Sequence, residues 1–132
     1  MTFTPTQWDT SQDKAAFAKQ FMRLIQTDFA AKHFTDKFYR RLSNTFGNIA
    51  HYNRGGFWEM FFTTTADKVR FLEQTLQHPC YGDPAWTFSD VERALQVWLK
   101  AERTLERYRQ RLAEETETAD RAELARLQEK YA

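Results

Sequence analysis

Three histidines and one cysteine are the residues of this chain best suited to a nucleophile or a metal. His78 and Cys80 stand two apart around Pro79, while His33 and His51 lie far away in sequence. That spacing matches no zinc arrangement, in which paired ligands recur at short, regular intervals, so no metal and no cofactor is expected. Cys80 would become a nucleophile only if His51 or His78 reached it in a pocket; otherwise it is a small apolar filler. Asp83, Asp90, Glu59 and Glu92 have the chemistry of a general acid and base, but such a pair needs a site that raises one pKa, and no spacing here announces one. Glu59, the only carboxylate inside the apolar run Phe57 to Phe62, is read as exposed, with Arg54 as its partner if it is buried. There is no phosphate loop, and no catalytic residue is assigned.

A second set of residues is suited to binding. Lys37, Arg41, Asn44, Asn48 and His51 follow one another at spacings of four, three, four and three, and Arg54 comes just after them. On a helix those spacings share one face, where cations and amides could meet successive phosphates or an acidic protein surface, with Phe57 or Trp58 offering a ring nearby. Lys100, Arg103, Arg107 and Arg111 form a similar basic line further on, with Glu102, Glu106 and Glu117 on another side.

Those lines need helices to carry them. Ser11 followed by Asp13 starts one, and Phe17, Phe21, Leu24, Ile25 and Phe29 place one face of it inward, which predicts a helix from about Ser11 to Phe29. Thr35 caps a second helix with Phe38, Leu42, Phe46, Ile49 and Tyr52 as its buried stripe, ended by Asn53 to Gly56. Phe57 to Phe62 lacks a clean period and is read as a short buried helix, with an extended apolar segment as the alternative. A fourth helix runs from about Ala66 to His78 with Val69, Leu72 and Leu76 inward and Pro79 beyond its end.

Ser89 and Glu92 fit a capping box that opens a long helix. Val91, Ala94, Trp98, Ala101, Leu105, Tyr108 and Leu112 then keep a heptad seam that breaks at Glu115, leaving Trp98, Leu105, Tyr108 and Leu112 as hydrophobic interaction candidates. Asp120 with Glu123 suggests another start, so the chain ends either in a helical hairpin or in one continuous helix.

Composition supports a single domain. At 132 residues the chain is long enough to bury most of its apolar surface, and aromatics at 16% make a core of rings. Nineteen of the 21 aromatics precede residue 100, whereas sixteen of the last 33 residues are charged, so a body at 1–99 carries a charged arm at 100–132. Nineteen basic against eighteen acidic residues leave a net charge of +1, far from the basic balance of a protein that lives on nucleic acid. The lone cysteine and the absence of a leader or an apolar span predict a cytoplasmic protein off the membrane.

The expectation is therefore an all-α, aromatic-rich bundle of four to six helices with a long charged C-terminal helix or helical hairpin. Its expected role is non-enzymatic protein interaction, as a small accessory subunit or inhibitor of a larger intracellular complex, with a homodimer through Val91 to Leu112 as one form of partner. The alternative is a nucleic-acid-binding protein that uses the face from Lys37 to Arg54.

Overall fold

The structure is a computed structural model that describes residues 2–47 and 52–132. Six α-helices follow one another: α1 (Ser11–Gln26), α2 (Asp36–Leu42), α3 (Arg54–Phe61), α4 (Thr65–Gln77), α5 (Ser89–Ala101) and α6 (Thr104–Lys130), with a 3-10 turn at Ala31–His33 before α2. Among the described residues there is no strand. The all-α, aromatic-rich bundle with a long charged C-terminal helix is what composition and periodicity predicted. Among the described residues no helix is long and apolar enough to cross a membrane.

Local chemistry explains most of the helix starts. Thr10 and Asp13 form a reciprocal capping box: the Thr10 hydroxyl accepts from the Asp13 N–H at 3.0 Å, and the Asp13 carboxylate accepts from the Thr10 N–H at 2.8 Å. Thr35 and Thr64 cap α2 and α4 in the same way, each accepting from the N–H three residues on. The core then closes on rings. Phe34 packs against Phe38, Tyr39, Phe57, Trp58 and Phe62, while the fully buried Phe71 meets Phe21, Phe29, Phe61 and Phe62. Truncating a ring so placed to alanine costs about 3–5 kcal/mol.

Several expected boundaries move, each for a backbone reason. α1 stops at Gln26, because Asp28 and Phe29 both take left-handed conformations (φ 56° and 58°); Phe29 is still buried, but from the turn. The second helix ends at Leu42, ten residues before the expected Tyr52. Ser43 and Thr45 donate their hydroxyls to the carbonyls of Arg40 and Leu42, a competition that favours turns over helix, and Phe46 and Gly47 then enter the left-handed region at φ 52° and 68°. Ile49, placed in the expected stripe, lies outside the described residues.

Asn53 to Gly56 opens a helix where it was expected to close one. The Asn53 side chain accepts from the Gly56 N–H at 2.7 Å, so the two glycines occupy the first turn of α3. The short helix read over Phe57 to Phe62 is there, as Arg54–Phe61, and Glu59 is exposed, Arg54 having paired with Asp36.

The expected capping box at Ser89 does not form. Ser89 donates to the Gly82 carbonyl at 2.8 Å, and Glu92 turns away to other partners, leaving α5 without a side-chain cap. The long helix expected from Val91 to Leu112 is broken at Arg103, whose φ of 53° and ψ of 39° separate α5 from α6. From Thr104 the chain is one continuous helix to Lys130, so Asp120 and Glu123 start nothing.

Candidate functional site

Among the described residues, Cys80, His78, Glu92, Asp83 and Asp90 are each held by contacts of their own. Cys80 is buried; burial first, and the Glu92 charge second, raise its thiol pKa, against a smaller opposing effect of Arg93 and Lys100. That holds it as a thiol, the unreactive form. Its sulfur donates to the His78 carbonyl at 3.6 Å, and the His78 imidazole is engaged elsewhere, with Nε2 2.9 Å from Glu92. Glu92 lies in the interior and also accepts from the Phe46 N–H at 2.6 Å; burial raises its pKa against those two contacts. Glu92 thereby fastens both the turn after α2 and the end of α4 to α5, contacts that no sequence spacing announced. His51 lies outside the described residues, and the His33 carbonyl accepts from Gln20. Among the described residues no three metal-ligating side chains converge. Asp83 accepts from the Ala85 N–H, and Asp90 holds the Thr4 N–H and Lys14, so the four weighed carboxylates share no site.

The binding face expected on the second helix is not one face. Lys37 and Arg41 lie on α2, Asn44 in the turn beyond it, and Arg54 begins α3; Asn48 and His51 lie outside the described residues. Two of its cations carry carboxylate partners. Arg41 meets Asp9 at 2.7 Å and lies over the Phe88 ring, and Arg54 meets Asp36 at 2.8 Å, so a phosphate would have to compete for both.

The second basic line is divided by the same break that divides its helix. Lys100 lies in the last turn of α5, Arg103 forms the bend, Arg107 donates to the Glu102 carbonyl, and Arg111 meets Asp28 at 3.0 Å. The hydrophobic candidates point inward. Phe57 and Tyr108 are buried, while Trp58, Trp98, Leu105 and Leu112 are half-buried against the core. The seam expected to close a homodimer over Val91 to Leu112 is therefore largely used inside the chain, folded back on itself at Arg103.

What that folding leaves uncovered is the rest of α6. Over its first turns the helix packs along α4, anchored by Tyr108 on Asp28, with a last hydrogen bond from the Thr65 hydroxyl to Glu115 at 2.9 Å. From Ala113 onward no side chain is buried; Leu124 is 56% exposed, Tyr131 75%, and only Leu127 is half-covered. At 1.5 Å per residue, residues 113–130 make an arm of about 27 Å. Its helicity is supported by the pairs Arg121–Glu117 at 2.6 Å and Arg126–Glu123, which add only a few tenths of a kcal/mol each. Ala113, Thr116, Asp120, Leu124, Leu127 and Tyr131 recur at steps of three and four, within a strip of about 80° at 100° per residue. The three-and-four spacing of Leu124, Leu127 and Tyr131 is visible in the sequence; their exposure is not.

A second exposed apolar area is formed by Trp8 and Trp86, edge to face with ring centroids 6.5 Å apart. They are 78 positions apart, so no local pattern could join them. Comparison of the chain with protein-family models, curated proteins and solved structures gives no match.

Proposed function

We propose that this protein acts by binding other proteins through the distal part of α6, as a small non-enzymatic accessory subunit or inhibitor of a larger assembly. The observation that carries this reading is the arm itself: a continuous helix beyond Leu112 that buries no side chain yet presents Leu124, Leu127 and Tyr131 on one strip. Most helical stability in proteins comes from packing of an apolar face rather than from propensity, so the strip gains most when a partner covers it. The folded body supplies the anchor: α6 is held to α4 and to Asp28 over its first turns, so the arm leaves the bundle from a fixed base. A cytoplasmic setting fits a chain whose single cysteine has no internal disulfide partner.

Nucleic acid ranks second, because Arg41 and Arg54 are paired with carboxylates and the two basic lines are broken up by the fold. Capture of the tagged chain from native lysate, with and without nuclease, separates the two. Stoichiometric protein that survives nuclease and disappears with the Leu124→Glu, Leu127→Glu double variant supports the arm as the binding element. Retained material that vanishes with nuclease and ignores the double variant overturns it in favour of nucleic acid.

A further inference from the structure

Resting on the reading of distal α6 as an interaction site, we infer that its occupant is a second copy of this chain, with the two arms paired antiparallel along the strip from Ala113 to Tyr131. The first argument is size. The small side chains of the strip, Ala113 and Thr116, lie in its first half, and the large ones, Leu124, Leu127 and Tyr131, in its second. An antiparallel pair centred near residue 122 sets Tyr131 of one copy over Ala113 of the other and Leu127 over Thr116, a bulky group on a small one toward each end, with Leu124 beside Asp120 near the centre. A parallel pair stacks small on small and large on large, which leaves gaps at one end and crowding at the other.

The second argument is charge. Residues 113–120 carry four acids, Glu114, Glu115, Glu117 and Asp120, and no base, whereas 121–130 carry three bases, Arg121, Arg126 and Lys130, against two acids. Antiparallel pairing lays each acidic half along the partner's net-basic half; parallel pairing lays four acids along four acids. It also opposes the two helix dipoles and sets the two bodies at opposite ends of the paired arms. The interface is isologous, with the same strip contributed by both copies. It lies beyond the seam from Val91 to Leu112, which the chain folds into its own core.

Sedimentation equilibrium of the full chain over a concentration series tests the pairing, with orientation read by oxidative cross-linking. The expected result is reversible association up to twice the monomer mass. Leu127→Glu should lower the association constant by at least about tenfold, as for a large apolar residue packed in an interface, while Val97→Glu, on the exposed face of α5, leaves it unchanged. Leu127 is not buried within the chain, so helicity by circular dichroism should be the same for both variants. Ala113→Cys mixed with Tyr131→Cys should cross-link one to the other, and neither should cross-link to itself. Self-linking of each single variant overturns the antiparallel arrangement, and a monomer at every concentration overturns the pairing. If the chain is monomeric and the double variant still loses a captured protein, the arm binds a different partner: this inference falls and the proposed function stands.

Discussion

Tyr108, the fifth residue of α6 at its anchored end, donates its phenol hydroxyl to Asp28 at 2.7 Å across 80 positions of sequence. Lys68 from α4 and Arg111 from α6 converge on the same carboxylate at 3.2 and 3.0 Å. Asp28 therefore ties the turn after α1 to the two helices that carry the arm. Asp28 itself takes a left-handed backbone conformation, at φ 56°.

Burial alone would raise the Asp28 pKa, but the hydrogen bonds from Tyr108, Lys68 and Arg111 together outweigh it and hold the carboxyl below its usual value. A depressed folded pKa contributes stability that is present above the unfolded value, near 3.9, and is lost as pH falls through the folded one. Urea unfolding should thus show a destabilisation on Asp28→Ala of about 1 kcal/mol at pH 7, modest because the side chain is half exposed, and this difference should shrink below about pH 4. Equal differences at pH 7 and pH 3 would show that the charge contributes nothing.

Lys14 is fully buried, with its ammonium donating to Asp90 at 2.9 Å and to the carbonyls of Pro84 and Thr87 at 2.8 Å each. Removing it leaves a carboxylate and two carbonyls without their cation, so Lys14→Ala should cost about 3–5 kcal/mol. The Lys14→Ala, Asp90→Ala double variant should be less destabilised than the sum of the two singles, measured as a double-mutant cycle in urea. An additive cycle would mean that the two side chains act independently.

Two glycines should respond in opposite directions. Gly47 sits at φ 68°, so Gly47→Ala should destabilise by about 1–2 kcal/mol. Gly55 lies inside α3, where an added Cβ would come no closer than 3.6 Å to any neighbour, so Gly55→Ala should stabilise by about 0.5 kcal/mol by lowering the freedom of the unfolded chain. Thermal melts of the two variants check the pair; a loss at Gly55 as large as that at Gly47 would contradict the assignment of Asn53–Gly56 as a helix start.

Cys80 should react with a thiol reagent far more slowly in the folded protein than in urea at the same pH, because burial and the nearby Glu92 hold it protonated. Glu92→Gln removes one of those causes and should speed the native reaction. A fast, stoichiometric reaction of the native wild-type thiol would reopen the nucleophile reading of this residue.

Helix positions were legible wherever the signal was local. Thr35 and the three-and-four spacing of Val69, Leu72 and Leu76 act within one or two turns; α2 starts where Thr35 puts it, and α4 starts at Thr65, one residue before the expected Ala66. Ends were less so. Whether Asn53-Arg54-Gly55-Gly56 closes one helix or opens the next depends on which backbone group the Asn53 side chain finds, and either choice suits the residue types. The break at Arg103 has no glycine or proline to announce it, so the spacing of Trp98, Ala101 and Leu105 reads through it as one helix.

The candidate interaction site was half legible for the same reason. Leu124, Leu127 and Tyr131 lie on one side of a helix in any reading, but whether that side is covered depends on where α6 points. Sequence by itself determined the all-helical bundle, its core of rings and the change to a charged helix near residue 100, because these follow from composition and from periodicity over a few turns. Only the tertiary structure decided that the seam through Tyr108 and Leu112 packs within the chain while the strip from Ala113 onward buries no side chain. Coverage is a contact between distant segments, here Asp28 with Tyr108 and Thr65 with Glu115, and no local pattern encodes which segments meet.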